Sequence, residues 1–318
     1  MARRILRTVA MTAAAVLALS ACGDGGEESP DAGGAAAADE GFPRIVEHAM
    51  GSTEIPERPE RVVVLDTGEL DTVLSLGVTP VGAVTTAVSE DFLSYLAEDA
   101  EGVEVVGTIA EPNLEAIAAL EPDLILSNKV RHEDIYEQLS QIAPTVFTER
   151  VGAVWAENFL LDAEALGLED EAQEALDAYR ADAAALGEEL GAADGVTVSA
   201  VRFVEGTIRV YTADSFIGTV LADIGLDQLQ LPTSRTPTFA ELSAEEVTQA
   251  DADVVLYSSY GSESDSGAAA VVAGPLWERL AAVAEGRAYA VEDDVFFTGI
   301  GLRAATLQLE QLRDLLLD

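Results

Sequence analysis

Few residues in this chain could carry covalent chemistry. Its 318 residues include one cysteine, Cys22, and two histidines, His48 and His132. No Gly-x-Ser-x-Gly elbow presents a serine nucleophile, and no glycine-rich phosphate loop occurs. Two histidines and one thiol fall short of the three or four clustered ligands that a zinc or manganese centre collects. No catalytic residue and no protein metal ligand is therefore expected. The chemistry left is noncovalent. Arginines in apolar settings donate several hydrogen bonds to oxygen-rich ligands, and aromatic rings pack against such ligands. Arg202 stands out because it interrupts the apolar run Val198 to Val204, where an unpaired charge is costly. Its guanidinium either reaches a cleft or meets a buried partner.

Charge narrows the partners further. The chain has 17 basic and 58 acidic residues, a net charge of -41. Such a polyanion repels nucleic acid. Lys129 is the sole lysine, so most of this charge is a solvated acidic surface. The basic residues concentrate at the start, where Arg3, Arg4 and Arg7 precede an apolar run from Val9 to Leu19. That run is too short for a permanent membrane span and has the layout of an export signal. Leu19-Ser-Ala-Cys22 resembles the lipobox of bacterial lipoproteins, which implies cleavage after Ala21 and acylation of Cys22. The mature chain would then carry -44, since the signal removes three arginines and no acid. Gly23 to Gly41 has no large apolar residue and cannot bury enough surface to fold. It reads as a flexible tether with a mean reach of roughly 25 Å.

The elements that must position the arginines follow from periodicity. Arg61-Val-Val-Val-Leu-Asp66, bounded by Pro59 and Gly68, is expected to form a buried parallel strand. A helix to Leu76 follows, then strands over 78–84, 103–109 and 123–126 with helices over 114–120 and 132–141. A hairpin over 44–55 precedes them and contains His48, whose role there is expected to be structural. Residues 154–190 carry only helical stripes, Trp155/Phe159/Ala163/Leu166 and Leu176/Tyr179/Ala183/Leu186. They read as a connector or, less simply, an inserted bundle. A second α/β region has strands over 196–204, 208–211, 253–257 and 288–291, helices over 215–224 and 299–317. The two regions share a weak repeat: Glu115 lies eight residues before Asp123, and Glu245 eight before Asp253. The fold expected is α/β, two parallel-sheet lobes with a ligand cleft between them. Its boundaries are a signal peptide over 1–21, a tether over 22–43, lobes over 44–150 and 193–318, and a helical connector over 151–192.

Glu121-Pro-Asp-Leu-Ile-Leu, the loop Ser127-Asn-Lys-Val-Arg131-His and Ile208-Arg-Val-Tyr211 together resemble a known family. It is the siderophore-binding proteins of ABC importers, a class shared with cobalamin and haem binders. The resemblance covers about Phe42 to Asp318 and is supported by Ile55-Pro-Glu-Arg-Pro-Glu-Arg-Val-Val-Val-Leu-Asp, Leu76-Gly-Val-Thr-Pro-Val-Gly and Asp214-Ser-Phe-Ile-Gly. It implies two lobes bridged by one long, stiff helix and only slight closure on the ligand. It also implies a monomeric, lipid-anchored receptor on the extracytoplasmic face of the cell membrane that carries a ferric siderophore to a permease dimer. No cofactor of the protein's own is implied, because the siderophore oxygens hold the iron. A hydroxamate leads among ligands, as its neutral or cationic complex suits so acidic a protein; citrate, catecholate, haem and cobalamin stay open. By the same resemblance Arg131 points into the cleft, against a competing surface pair with Glu133 or Asp134. Tyr211, Tyr260, Trp277 and Phe297 offer rings near strand ends, Thr67 and Gly68 offer pocket backbone, and Glu115 and Glu245 dock into the permease. An envelope hydrolase on a bilobal scaffold, or a structural surface lipoprotein, is the alternative from another class.

Overall fold

A computed structural model describes residues 41–191 and 195–317. The export signal, Cys22 and the tether up to residue 40 lie outside the described residues. The hairpin is β1 (Arg44–His48) and β2 (Gly51–Ile55). His48 Nδ1 accepts the N–H groups of Met50 and Phe147, each at 3.3 Å, which leaves its Nε2 to donate to Thr53 Oγ1 at 2.9 Å. Burial lowers its pKa, so this histidine is a neutral rivet holding the hairpin to the first sheet.

That sheet grows around the valine run. Its elements are β3 (Val62–Val64), α1 (Thr67–Ser75), β4 (Gly82–Thr85), β5 (Glu104–Thr108), β6 (Glu111–Pro112), α2 (Leu114–Ala119), β7 (Leu124–Asn128), α3 (Lys129–His132), α4 (Tyr136–Leu139) and β8 (Thr145–Thr148). The strand order is β6-β5-β4-β3-β7-β8, parallel except for the β5/β6 edge. β3 lies inside, and its valines are fully buried on both faces, Val62 and Val64 in one cluster and Val63 in the other. This is why the run has no polar alternation. The helix expected over 132–141 is broken into α3, a 3-10 turn over Glu133–Ile135 and α4. His132 sits at the first break, with Nε2 donating to the Ile109 carbonyl and Nδ1 accepting Ser127 Oγ, both at 2.7 Å.

The connector contains the long helix expected, the 22-residue α6 (Glu169–Leu190), preceded by the shorter α5 (Trp155–Leu166). Gly167 breaks it with φ +72°, and a Cβ there would come within 2.8 Å of the Phe42 ring. Such a left-handed residue ends helices and favours glycine. The break lets α5 serve both cores: Ala165 and Leu166 pack with the first sheet, while Trp155, Phe159 and Ala163 join α6 in the second core.

The second sheet is built from β9 (Thr197–Val204), β10 (Thr207–Tyr211), β11 (Asp227–Gln228), β12 (Phe239–Leu242), β13 (Val254–Ser259) and β14 (Ala288–Ala290). Its helices are α7 (Phe216–Ile224), α8 (Glu263–Ser266), α9 (Ala268–Val272), α10 (Ala281–Ala284) and α11 (Leu302–Leu317). The order is β12-β10-β9-β13-β14, with β11 on the start of β9. This sheet keeps the expected parallel pairing among β9, β11, β13 and β14 and adds β10 and β12 in antiparallel pairing. Only Glu205 and Gly206 separate β9 from β10, and two residues can close an antiparallel hairpin but not a parallel crossover.

The weak repeat has a structural meaning. Asp123 accepts the N–H groups of Glu60 and Arg61 at 2.8 and 2.9 Å, and Asp253 accepts that of Thr197 at 2.9 Å. Each carboxylate thus fixes the entry of the central strand beside it. Glu115 and Glu245 are both exposed, each two residues after a capping residue, Asn113 or Ser243. The lobes are clasped at Asp71 on α1, whose carboxylate accepts the N–H groups of Arg303 and Ala304 at the start of α11, at 3.0 and 3.1 Å, and the Tyr95 hydroxyl at 2.9 Å. Gly301 permits this approach, since a Cβ there would meet Asp71 Cγ at 2.5 Å.

Candidate ligand-binding cleft

A cleft of about 530 Å³ opens between the carboxyl ends of the two sheets, the usual ligand position in open α/β folds. Its first wall is made where β3, β4, β5 and β7 end. Asp66 and Thr67 come from the first, Thr86 and Ala87 from the second, Ile109 and Ala110 from the third, Val130 and Arg131 from the last. Asp66 caps α1 through the Thr67 N–H at 2.7 Å, a common way for a strand to hand over to a helix. Its other oxygen accepts Arg131 Nε and Asn128 Nδ2, both at 3.0 Å. Asn128 in turn caps α3 by accepting the Arg131 N–H at 3.2 Å. Arg131 is thereby held from below at both backbone and Nε, while its side chain stays 43% exposed toward the cleft. It pairs with Asp66, not with Glu133 or Asp134.

The second wall is set by strand parity. Successive residues of β9 face opposite sides, so Arg202 shares the face of Val198 and Ala200, while Val201 and Phe203 pack on the other. Arg202 meets both oxygens of Asp293, at 2.7 Å from Nε and at shorter range from Nη2. Asp293 also accepts Ser258 Oγ at 2.7 Å and Thr298 Oγ1 at 2.6 Å. The Tyr260 ring covers the guanidinium at 4.4 Å from its centroid, a favourable cation–π geometry. Burial opposes the charge of Arg202, but Asp293 and Tyr211 outweigh it and hold the proton more firmly than usual. Both readings of Arg202 therefore apply at once: it has a buried partner and reaches the cleft.

Of the residues singled out from sequence, Thr67, Arg131, Arg202, Tyr260 and Phe297 line this cleft. Phe297 comes from a π-helical turn over Asp294–Thr298 instead of a strand end; such turns gather at functional sites. Three expected positions do not line it. Trp277 lies under the far face of the second sheet, its ring 5.0 Å from Tyr257 and 5.8 Å from Phe203, because its short 3-10 turn caps the hydrophobic cluster of Val201 and Phe203. Tyr211 is buried one layer down, 3.4 Å from Arg202 Nη1 and 4.9 Å from the Phe297 ring, and supports the floor. Gly68 faces a small cavity behind the first wall, close to the Ile300 carbonyl.

Asp66 and Arg209 complete the walls, and Asp293 supports Arg202 from behind. Arg209 lies directly opposite Arg202 on β10 and shares the cleft. Like charges in that register repel. Asp293 balances Arg202, whereas Arg209, with Glu241 opposite it on β12, forms no ion pair within 4 Å among the described residues; the Phe239 ring lies 4.3 Å from its guanidinium carbon, and its buried Nε has no hydrogen-bond partner there. The sequence did carry this signal: Arg209 has the parity of Tyr211 and the opposite parity of Ile208.

Two α/β lobes clasped at one side, with a cleft of paired and free arginines at their strand ends, define a bilobal solute-binding protein. The chain belongs to the periplasmic binding protein family, whose model matches residues 62–295. Among similar proteins, "Probable siderophore-binding lipoprotein YfiY" of Bacillus subtilis is 38% identical over 309 residues, covering 94% of each chain. "Fe(3+)-citrate-binding protein YfmC" of the same organism is 30% identical over 265 residues, covering 82% of each. The crystal structure of Staphylococcus aureus SirA complexed with staphyloferrin B has a TM-score of 0.76 and 29% identity, covering 86% of this chain and 98% of that one.

Proposed function

We propose that this protein is the lipid-anchored, extracytoplasmic receptor of an ABC importer, which binds a ferric siderophore and delivers it to the permease. The observation that carries the reading is Arg209: although Glu241 stands opposite it on β12, this cation forms no ion pair within 4 Å among the described residues. It faces a cleft whose other arginines, Arg131 and Arg202, are each balanced by one carboxylate. Iron stays within the siderophore oxygens, and no protein side chain ligates it. Similarity to proteins named for siderophores and for ferric citrate supports the ligand class.

The charge balance refines that class. With Arg131 and Arg202 neutralised, the walls offer one arginine, Arg209, outside any close ion pair among the described residues and with Glu241 opposite it on β12, which suits a complex of low net charge. A hydroxamate chelate, neutral or with one free carboxylate for Arg209, fits better than a highly anionic tris-catecholate. Tyr211 is unsuited to ligate haem because it is buried beneath Arg202.

Lipidation of Cys22 supplies the anchor, and the acidic segment over 22–43 supplies reach; among the described residues no helix is long and apolar enough to cross a membrane. The protein acts as a monomer. Glu115 and Glu245 dock it to the permease dimer, a reading supported by their exposure at matching positions of the two lobes. Fluorescence titration with ferric hydroxamate, ferric citrate, ferric catecholate, haem and cobalamin tests the ligand. One-to-one quenching by the ferric hydroxamate without chemical change is expected; no binding below the micromolar range by any of the five rejects the reading. Glu115→Ala with Glu245→Ala should abolish uptake and keep ligand affinity, and normal uptake in the double variant rejects the docking role.

A further inference from the structure

Behind the first wall lies a polar chain that ligand contact alone does not explain. Arg131 Nε donates to Asp66, Asn128 Nδ2 donates to the same Asp66 oxygen, and it also donates to Glu69 Oε1 at 3.2 Å. The second Glu69 oxygen, Oε2, is buried with no partner among the described residues, and so is Asp162 Oδ1 on α5. Both side chains line one small cavity of about 10 Å³, together with Thr72, Trp155, Asn158 and backbone near Gly301. That is room for a single water. None of the lining residues is basic. Two carboxylates in a site without a countercharge cannot both ionise.

We propose that Glu69 is a positioning residue for Arg131: it keeps a proton shared with Asp162 across this cavity, so that Asp66 alone answers the Arg131 charge.

The groups facing Glu69 from each packed element favour this assignment. Asp66 precedes its own helix, Asn128 and Arg131 come from the end of β7 and from α3, and Asp162 comes from α5. His132 stands behind Asp66 and is held neutral, with its pKa lowered by burial. The segment before α11 brings no charge to the cavity, since Arg303 is engaged with Asp99 and the Leu74 carbonyl. Burial, and then Asp66, raises the Glu69 pKa to about 8, and burial and then Glu69 raises that of Asp162. Ionised, Glu69 would place a second negative charge beneath Arg131. The guanidinium would be drawn back, and the wall would lose donor strength toward the ligand. One charge at this range changes affinity by about threefold to tenfold at an effective dielectric near 20.

The inference rests on the ligand reading above for its functional consequence, so the test includes an arm that needs no ligand. In the ligand-free protein, nuclear magnetic resonance of the Arg131 Nε–H group, assigned with Arg131→Lys, should shift between pH 7 and 9. In Glu69→Gln it should stay constant, and Asp162→Asn should move the midpoint down by removing the partner carboxylate. An Arg131 signal that titrates alike in wild type and Glu69→Gln, or in neither, overturns the assignment. In the second arm, wild-type affinity for a ferric hydroxamate falls about threefold to tenfold over the same range, while that of Glu69→Gln is flat. Should the chelate bind neither protein, the ligand reading fails and the resonance arm still decides the role of Glu69.

Discussion

The two walls of the cleft each carry an arginine on a carboxylate, yet they are built on opposite principles. On the second wall Arg202 is buried and doubly bonded to Asp293, which is itself bonded by Ser258 and Thr298. Around Arg202 every charge is matched at short range. On the first wall Arg131 is half exposed and its side chain is bonded through one nitrogen, above a carboxyl pair with two oxygens that have no partner among the described residues. The second wall is therefore a fixed frame, while the first is an adjustable contact whose strength depends on protons behind it.

Breaking the frame should have the largest effect. Removing one member of a buried pair strands the other, so Asp293→Ala is expected to cost about 3–5 kcal/mol of unfolding free energy and to abolish binding. Arg131→Ala should cost under about 1 kcal/mol, because partly exposed pairs contribute little, while still weakening ligand binding. Urea unfolding of the two variants checks the contrast. Equal losses of stability would show that the walls do not differ as described.

The next effect is electrostatic and belongs to the first wall alone. The Glu69 pKa is about 8 when folded against 4.5 as its ordinary value, so between these limits the folded state binds more protons than the unfolded one. Stability then falls as pH rises from about 4.5 to 8. Glu69→Gln lacks this slope, and should gain on the order of 3 kcal/mol relative to wild type between pH 5 and pH 8. Unfolding curves at several pH values measure it, and parallel pH profiles for the two proteins would refute it.

The difference between the walls also marks what could be read from sequence. Unbroken valines in Val62–Val64 announced a buried central strand, and the Glu–Asp repeat announced two related lobes, because both are local patterns with one physical cause. Arg202 was legible because a charge in an apolar strand must end somewhere polar. Its partner Asp293 is 91 positions away, and no local pattern encodes so distant a contact. Aromatics were the weakest guide: Tyr260 and Phe297 reach the cleft, whereas Trp277 and Tyr211 are core, since burial alone satisfies a ring. Glu69 and Asp162 read as ordinary acids on amphipathic helices, and only packing of α1 against α5 makes them a buried pair.

The smallest effect separates the cleft from the scaffold that holds it. Arg209 faces Arg202 across the hairpin and forms no ion pair within 4 Å among the described residues, Glu241 opposite it on β12 included, so no close pairing in the fold explains its charge. Arg209→Gln should leave stability within about 0.5 kcal/mol of wild type, because it loses stacking on Phe239 but also a like-charge contact. It should weaken binding of an anionic ferric chelate about tenfold, which corresponds to one lost charge-assisted hydrogen bond of about 1.4 kcal/mol, and should affect a neutral chelate less. Paired titrations with the two chelates test this directly. If both lose affinity equally, Arg209 contributes shape and not charge, and the low net charge assigned to the ligand loses its basis.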